Sequence, residues 1–228
     1  MKYALFFLFI AAQFFVEAAL HGGYFWLLVW PGISFGLVGL AYLGLGPRVF
    51  GKKPSGNLSW WSILLLLPYL LLTWLTWDLV RRLSGEDCYN EVAPGIFVGR
   101  RPLPGELPPE VTLLVDLTAE FSENPRVRSG REYVAAPMLD AGIASEATFR
   151  QLVQQIAAWP GPVYIHCAQG HGRTGTVAAA VLVARGIHAT PEAAIEALQR
   201  VRPKVSLSPS QLRFVRHICR VENSSAGL

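Results

Sequence analysis

Charge is what this chain has least of. Asp, Glu, Lys and Arg together make 16 % of its 228 residues, against about a quarter in an average soluble domain, and the mean hydropathy is +0.34. A chain this poor in charge and rich in apolar side chains is not disordered. Cysteine is scarce too. Cys88, Cys167 and Cys219 are the three present, too few and too scattered for a disulfide framework or a paired CxxC metal site. Internal repeats and low-complexity tracts are absent, which excludes solenoid and collagen-like architectures. The formal net charge of +4 is not gathered into a basic stripe, so no nucleic-acid partner is expected.

The missing charge is unevenly missing. Residues 1–80 hold four basic and two acidic side chains, while residues 81–228 hold sixteen and fourteen. Residues 54–77 contain no charged side chain, and residues 58–77 as a helix would measure about 30 Å, one hydrocarbon thickness. Trp60 and Trp61 mark one end and Trp74 and Trp77 the other, where an aromatic belt would sit. Arg81 and Arg82 then stop the run. Residues 18–47 are equally uncharged, and residues 24–45 form a second span, its Pro31 and glycines tolerable in a helix packed against neighbours. Residues 3–20 are long enough for a third span, although Gln13 and Glu17 interrupt them. A signal peptide would be followed by a polar mature chain; here His21-Gly22-Gly23 leads into more apolar sequence. Three spans beginning with a tight hairpin are expected, with two spans and a surface helix as the alternative.

From Arg81 the grammar changes. After a linker and lead-in segment over 81–95, short apolar runs at 96–99, 111–115, 133–136 and 163–166 read as strands. Helical periodicity follows at 146–159, 172–185, 191–201 and 208–221, with Thr190-Pro191 and Ser208-Pro209 each placing a capping hydroxyl before a first-turn proline. An α/β domain over 96–228, with helices around a small sheet, is the expected fold. Its size suffices for a core of its own.

One turn carries chemistry. The stretch Val163-Tyr164-Ile165-His166-Cys167-Ala168-Gln169-Gly170-His171-Gly172-Arg173-Thr174-Gly175 takes a buried strand through a loop with two glycines into a helix. Such a loop aims successive backbone N–H groups at one point, and the helix start adds positive potential, so it binds an anion. A cysteine at its base is favoured as thiolate by the same field. Arg173 can clamp two oxygens of a tetrahedral oxyanion with its planar fork, and Thr174 is placed to hydrogen-bond the sulfur. A Walker loop would need a Gly-Lys pair that is missing here. Cys167, His166 and His171 lack a fourth donor at metal-site spacing, so neither a metal nor another cofactor is expected.

His166-Cys167-Ala168-Gln169-Gly170-His171-Gly172-Arg173-Thr174 matches the HCxxGxxR[S/T] signature, and the chain resembles the cysteine-dependent protein tyrosine phosphatase superfamily. The surroundings resemble its dual-specificity branch: Asn90 with Pro94 to Gly99, Val115 to Thr118, and Arg202-Pro203 with Ser208, Pro209 and Gln211, over residues 88–221. The resemblance implies a dual-specificity-phosphatase-like sheet flanked by helices, here preceded by an all-α transmembrane segment. It implies Cys167 as nucleophile, Arg173 and the loop from Ala168 through Gln169, Gly170, His171 and Gly172 as the phosphate cradle, and His166 as a residue that orders the loop. It also implies an aspartate general acid on an upstream loop. Asp140, 27 residues before Cys167, follows a strand in Pro137-Met138-Leu139-Asp140-Ala141-Gly142. Asp116 ends a strand directly, where a carboxylate capping the junction is the simpler reading, so Asp140 is preferred as the acid.

Phosphoinositide-acting relatives carry lysines in the loop, where this chain has Ala168, Gln169 and His171, and no aromatic phosphotyrosine-recognition loop precedes Ile96. Relatives include phosphatidylglycerophosphate phosphatases, so the expected substrate is a lipid phosphate presented by the membrane. A membrane-anchored protein phosphatase is the second reading, and a phospho-ligand-binding pseudophosphatase the third, although that class usually loses Cys, Arg or Asp. Arg126, Arg128 and Arg131 could face anionic headgroups. With three spans, Lys2, Arg48, Lys52 and Lys53 would lie across the membrane from Arg81 and Arg82, a count favouring an exported domain. A low-pKa thiolate instead needs a reducing compartment, and that argument places the domain on the cytoplasmic side.

Overall fold

The computed structural model describes residues 1–225, with side chains to Arg220; residues 226–228 of the expected domain lie outside it. The chain divides into two units, Met1–Gly85 with Ala119–Ser122, and Glu86–Thr118 with Glu123 onward.

The first unit is helical. α1 (Lys2–His21) ends at Gly22, whose φ of 59° suits glycine, and a hairpin follows. The second apolar stretch is not one continuous α-helix. It runs through a 3₁₀ turn (Gly23–Leu28), α2 (Val29–Leu40), a π-turn (Ala41–Leu45) broken at Gly44, and another 3₁₀ turn (Gly46–Phe50). Its glycines explain both its irregularity and its packing. Ala4, Ala11 and Ala18 make a buried stripe of small residues every seven positions along α1, and a Cβ at Gly36 of α2 would meet the Ala11 Cβ at 3.7 Å. Close approach of helix backbones through small residues is how apolar helices associate where apolar contact alone gives no driving force.

α3 (Trp60–Leu83) carries Pro68 in its interior. Proline lacks the N–H that would bond the carbonyl four residues back, which leaves the Leu64 carbonyl without its helical donor. Trp30 Nε1 donates to that carbonyl at 3.0 Å, and the Ser34 hydroxyl accepts from Tyr69 N at 3.2 Å. Meanwhile Leu64, Leu65, Leu71, Leu72, Leu75 and Leu79 of α3 stand exposed, as do Leu5, Phe6 and Phe9 of α1. Three stretches, Lys2–His21, Gly23–Phe50 and Trp60–Leu83, are long and apolar enough to cross a bilayer, which fits a membrane protein. The expected belt is asymmetric. Trp60 and Trp61 are exposed, but Trp77 is buried with its ring 5.6 Å from that of Phe121, and Trp74 Nε1 donates to the Glu120 carbonyl; these indoles are occupied by the Ala119–Ser122 stretch of the same unit.

The second unit is a five-stranded sheet in the order β1-β2-β5-β3-β4. Its strands are β1 (Tyr89–Ala93), β2 (Ile96–Arg100), β3 (Leu113–Thr118), β4 (Glu132–Met138) and β5 (Val163–Cys167). β1 pairs antiparallel with β2, and all other pairs are parallel. β1 falls in the segment read as linker, because its sequence YNEVA shows little apolar alternation; it is recruited by pairing with β2. β5 is buried at every position, which is why it reads as a continuous apolar run. α4 (Pro125–Arg128) is a single turn capped by Asn124. α5 (Glu146–Ala157) buries Phe149, Leu152, Val153 and Ile156, the spacing of one helix face. α6 (Gly172–Ala184) is buried from Arg173 to Leu182 and built largely of Ala and Val. α7 (Pro191–Val201) starts at the Thr190 cap, and α8 (Pro209–Ser225) follows Ser208. β5 therefore delivers Cys167 from the middle of the sheet to the start of the most buried helix.

Candidate active site

The loop from Cys167 to Arg173 is held from several sides. Gly170 has φ of 75°, a region costly for residues with a Cβ, and a Cβ there would come within 2.3 Å of the Gly99 carbonyl carbon and 2.6 Å of Arg100 N. Gly99 has its own reason to lack a side chain: a Cβ would lie 2.1 Å from the Cys88 carbonyl oxygen and 2.4 Å from the Tyr164 hydroxyl. The two glycines let the loop pass directly beside the end of β2. Arg101 N then donates to the Ala168 carbonyl at 3.2 Å. The turn carrying Arg101 is stapled by Glu106, which takes two hydrogen bonds of 2.8 Å from the Arg100 guanidinium and one of 2.7 Å from Leu103 N. The guanidinium holds the Glu106 carboxyl down at about 2.

Arg202 is the strongest anchor. It is buried, donating through Nε to the Gly170 carbonyl at 3.1 Å, through Nη2 to Gln169 O at 3.0 Å, and through Nη1 to Asp87 O and Asn90 Oδ1. By taking up the loop's carbonyl oxygens it leaves the amide N–H groups to point elsewhere. On the other flank, Glu86 lies 3.0 Å from His171 Nε2 and 3.5 Å from Lys204 Nζ. Burial lowers the His171 imidazole below its usual range against the pull of Glu86.

Cys167 is 3 % exposed, and Gly170 N–H donates to its sulfur at 3.3 Å. Burial pushes the Cys88 thiol up to about 11, which leaves it protonated. Arg173 is buried; its Nη1 donates to the Met138 carbonyl at 3.0 Å, and its Nε lies 3.6 Å from Asp140 Oδ1. The Asp140 side chain is 77 % exposed, on the loop after β4, where Ala141 adopts φ of 53°. So Arg173 and Asp140 come together at the end of β4, and Cys167 ends β5 six residues before Arg173. Thr174 is fully buried, with no hydrogen-bond partner for its hydroxyl among the described residues; the bond to sulfur that the structure shows comes from Gly170.

Asp116 is elsewhere in character. It is fully buried, accepts from Thr118 N and Oγ1 and from the Tyr133 hydroxyl, and lies 3.9 Å from His166 Nε2. The arginines of the α4 region are partly occupied by the fold: Arg128 stacks over the Tyr133 ring and Arg131 donates to the carbonyls of Val127, Ser129 and Pro108, leaving Arg126 exposed. Sequence reasoning gave no role to Arg202, Glu86 or Glu123. Arg202 was visible only as part of Arg202-Pro203; its four acceptors come from segments far apart in the chain.

A strand, an amide-lined loop with cysteine at its base, and a buried arginine at the helix start make this a cysteine-dependent phosphatase domain. Residues 108–221 match the family model described as a Swiss Army Knife protein, DSP-PTPase phosphatase domain, and the chain belongs to that dual-specificity branch of the protein tyrosine phosphatase family. Proteins called phosphatidylglycerophosphatase and protein-tyrosine phosphatase 1 are 42 % identical over 55 residues in Rattus norvegicus and 26 % identical over 154 residues in Mus musculus. Those alignments cover 24 % and 60 % of this chain. The phosphatidylglycerophosphate phosphatase PTPMT1 of Arabidopsis thaliana is 28 % identical over 159 residues, 62 % of this chain. The chain spans 28 %, 79 % and 46 % of the three relatives' lengths, respectively. A crystal structure of PTPMT1 in complex with PI(5)P superposes with a TM-score of 0.54 at 25 % identity, over 61 % of this chain and 99 % of that one.

Proposed function

We propose that the protein is a membrane-anchored phosphatase that hydrolyses a lipid phosphate monoester through a phosphocysteine. The observation that carries the chemistry is the Gly170 N–H directed at the Cys167 sulfur, beside a buried Arg173 that is itself 3.6 Å from Asp140. In the first step the Cys167 thiolate forms an S–P bond as the P–O bond to the leaving group breaks, and Asp140 gives its proton to the departing oxygen. Arg173 and the amides of the loop hold the three equatorial oxygens throughout. In the second step Asp140, now ionised, takes a proton from water; the water oxygen bonds to phosphorus, and the thiolate leaves with inorganic phosphate as product. No step is assigned to a metal. Asp140 is preferred over Asp116 because its exposure lets it reach a substrate, whereas the oxygens of Asp116 are committed inside the fold.

The lipid assignment is supported by the relatives, whose names carry a phosphatidylglycerophosphate activity, and by the apolar helices that would keep such a substrate close. The reading as a membrane-anchored protein phosphatase rests on the same relatives, since the rodent names also include protein-tyrosine phosphatase. The domain is placed on the cytoplasmic side, where a thiolate stays reduced. Ser129, on an exposed turn, tests this: as Ser129→Cys it should react with a membrane-impermeant maleimide only after lysis, and reaction in intact cells would put the domain outside.

The substrate test compares phosphate release by the full chain from phosphatidylglycerophosphate vesicles and from phosphotyrosyl peptides. The lipid should win by kcat/KM, and a faster peptide would select the protein-phosphatase reading. Asp140→Asn should slow the first step with the lipid, an alkyl ester, about 10²–10⁴-fold while sparing the burst of phenolate from an aryl phosphate, which leaves unaided. Equal losses on both would remove Asp140 from the acid role.

A further inference from the structure

His166 sits one residue before the nucleophile and is fully buried. Its Nδ1 lies 3.4 Å from the Cys167 carbonyl oxygen. Its Nε2 lies 3.5 Å from Glu123 Oε2 and 3.9 Å from Asp116 Oδ1. Nδ1 therefore faces a carbonyl oxygen that can only accept, and Nε2 faces two carboxyls that only accept while ionised. A neutral imidazole carries one N–H and one lone pair, so one nitrogen would set a lone pair against an oxygen; the imidazolium donates from both. The carboxylates have the complementary need, because an ionised carboxylate buried without a cation is costly. The Asp116 and Glu123 side chains are both fully buried.

We propose that Glu123 and Asp116 hold His166 as an imidazolium, with Glu123 the positioning residue that reaches the ring from outside the strands, so that a fixed positive charge and a fixed Nδ1–H bond brace the loop at Cys167. The inference rests on reading Cys167 as the nucleophile. Groups facing the cluster come from each packed element. From β5 come the Cys167 carbonyl and the Tyr164 ring, 5.7 Å from the imidazole. From β3 and β4 come Thr118 and Tyr133, both donating to Asp116. From the loop after β2, Arg101 lies 3.7 Å from Glu123 Oε1, which also accepts from Asn124 N. Arg101 is thus a second cation on the carboxylate oxygen turned away from the ring. Through it the cluster reaches the loop again, because Arg101 N donates to the Ala168 carbonyl.

The test is ¹⁵N NMR of ring-labelled histidine in the full chain held in lipid nanodiscs, with His166 assigned by difference against His166→Asn. At pH 7 both His166 nitrogens should give the protonated signature and keep it to pH 9. Glu123→Gln should bring the ring's titration down by at least about one pH unit, and Glu123→Asp should restore most of the shift. Turnover of an aryl phosphate by Glu123→Gln should match the wild type's pH dependence below that titration and fall about tenfold further above it. A neutral His166 ring at pH 7 in the unaltered protein overturns the proposal even if the variant does not fold. So does a Glu123→Gln ring that titrates unchanged. A ring signal that moves on adding Zn²⁺ would also overturn it, because side-chain donor atoms of Asp116, Glu123 and His166 lie within 4.8 Å of one another and a metal there would replace the ring's second proton. Failure of the phosphatase reading shows separately, as a Cys167 that acquires no phosphate while the ring remains doubly protonated.

Discussion

The two units of this chain solve opposite problems with the same twenty side chains. The helical unit leaves large apolar residues facing outward and keeps its few polar contacts for places where the backbone is broken, as at Pro68, where Trp30 satisfies the Leu64 carbonyl. The α/β unit does the reverse. It buries Arg173, Arg202, His166, Asp116, Glu123 and Thr174 in a core made mostly of Val, Leu, Ile and Ala. In the first unit polar groups repair the architecture. In the second the architecture exists to hold polar groups under tension with their solvation, and those groups surround one cysteine. The difference teaches where to look for function: at buried charge, which hydrophobic packing alone would discard.

The sharpest way to break this contrast is at Gly170. Gly170→Ala places a Cβ against the backbone of Gly99 and Arg100 in a left-handed conformation. It should cost about 3 kcal/mol or more of stability and remove nearly all activity, read by denaturation and turnover of an aryl phosphate. The melting of the apolar helical unit should not follow. A variant with normal turnover would mean that the close approach of loop and β2 is dispensable. The smallest expected effect lies in the helical unit. Trp30→Phe keeps the ring but deletes the N–H to Leu64, and should cost about 1 kcal/mol with no change in turnover on a soluble substrate. A loss of turnover there would show that the two units are not as separable as their chemistry suggests.

Much of this was legible in the sequence, and the boundary is instructive. The apolar runs, the four strands at 96–99, 111–115, 133–136 and 163–166, and four helices declare themselves by periodicity, which is a local property. β1 does not, since a strand that exists by pairing has no pattern of its own to show. The second apolar run also reads as one helix, because hydropathy registers apolar length but not the glycines in the 3₁₀ and π segments that flank α2. At the site, the HCxxGxxR[S/T] loop is contiguous and readable. The residues that brace it are not: Arg202 lies 32 residues from Gly170 in the chain, and Glu123 lies 43 residues before His166. Only the folded sheet brings β3, β5 and the loop before α4 to one point.

In the proposed mechanism Cys167 carries phosphate covalently, held by Arg173 and the loop amides. Rapid acid quench of the full-length protein during turnover, followed by peptide mass spectrometry, measures this directly. With an aryl phosphate as substrate, the expected result is a phosphate on the peptide containing Cys167, absent in Cys167→Ser and accumulating when Asp140→Asn slows the attack of water. Turnover that proceeds with no phosphate on Cys167 at any quench time, or that survives in Cys167→Ser, would contradict it.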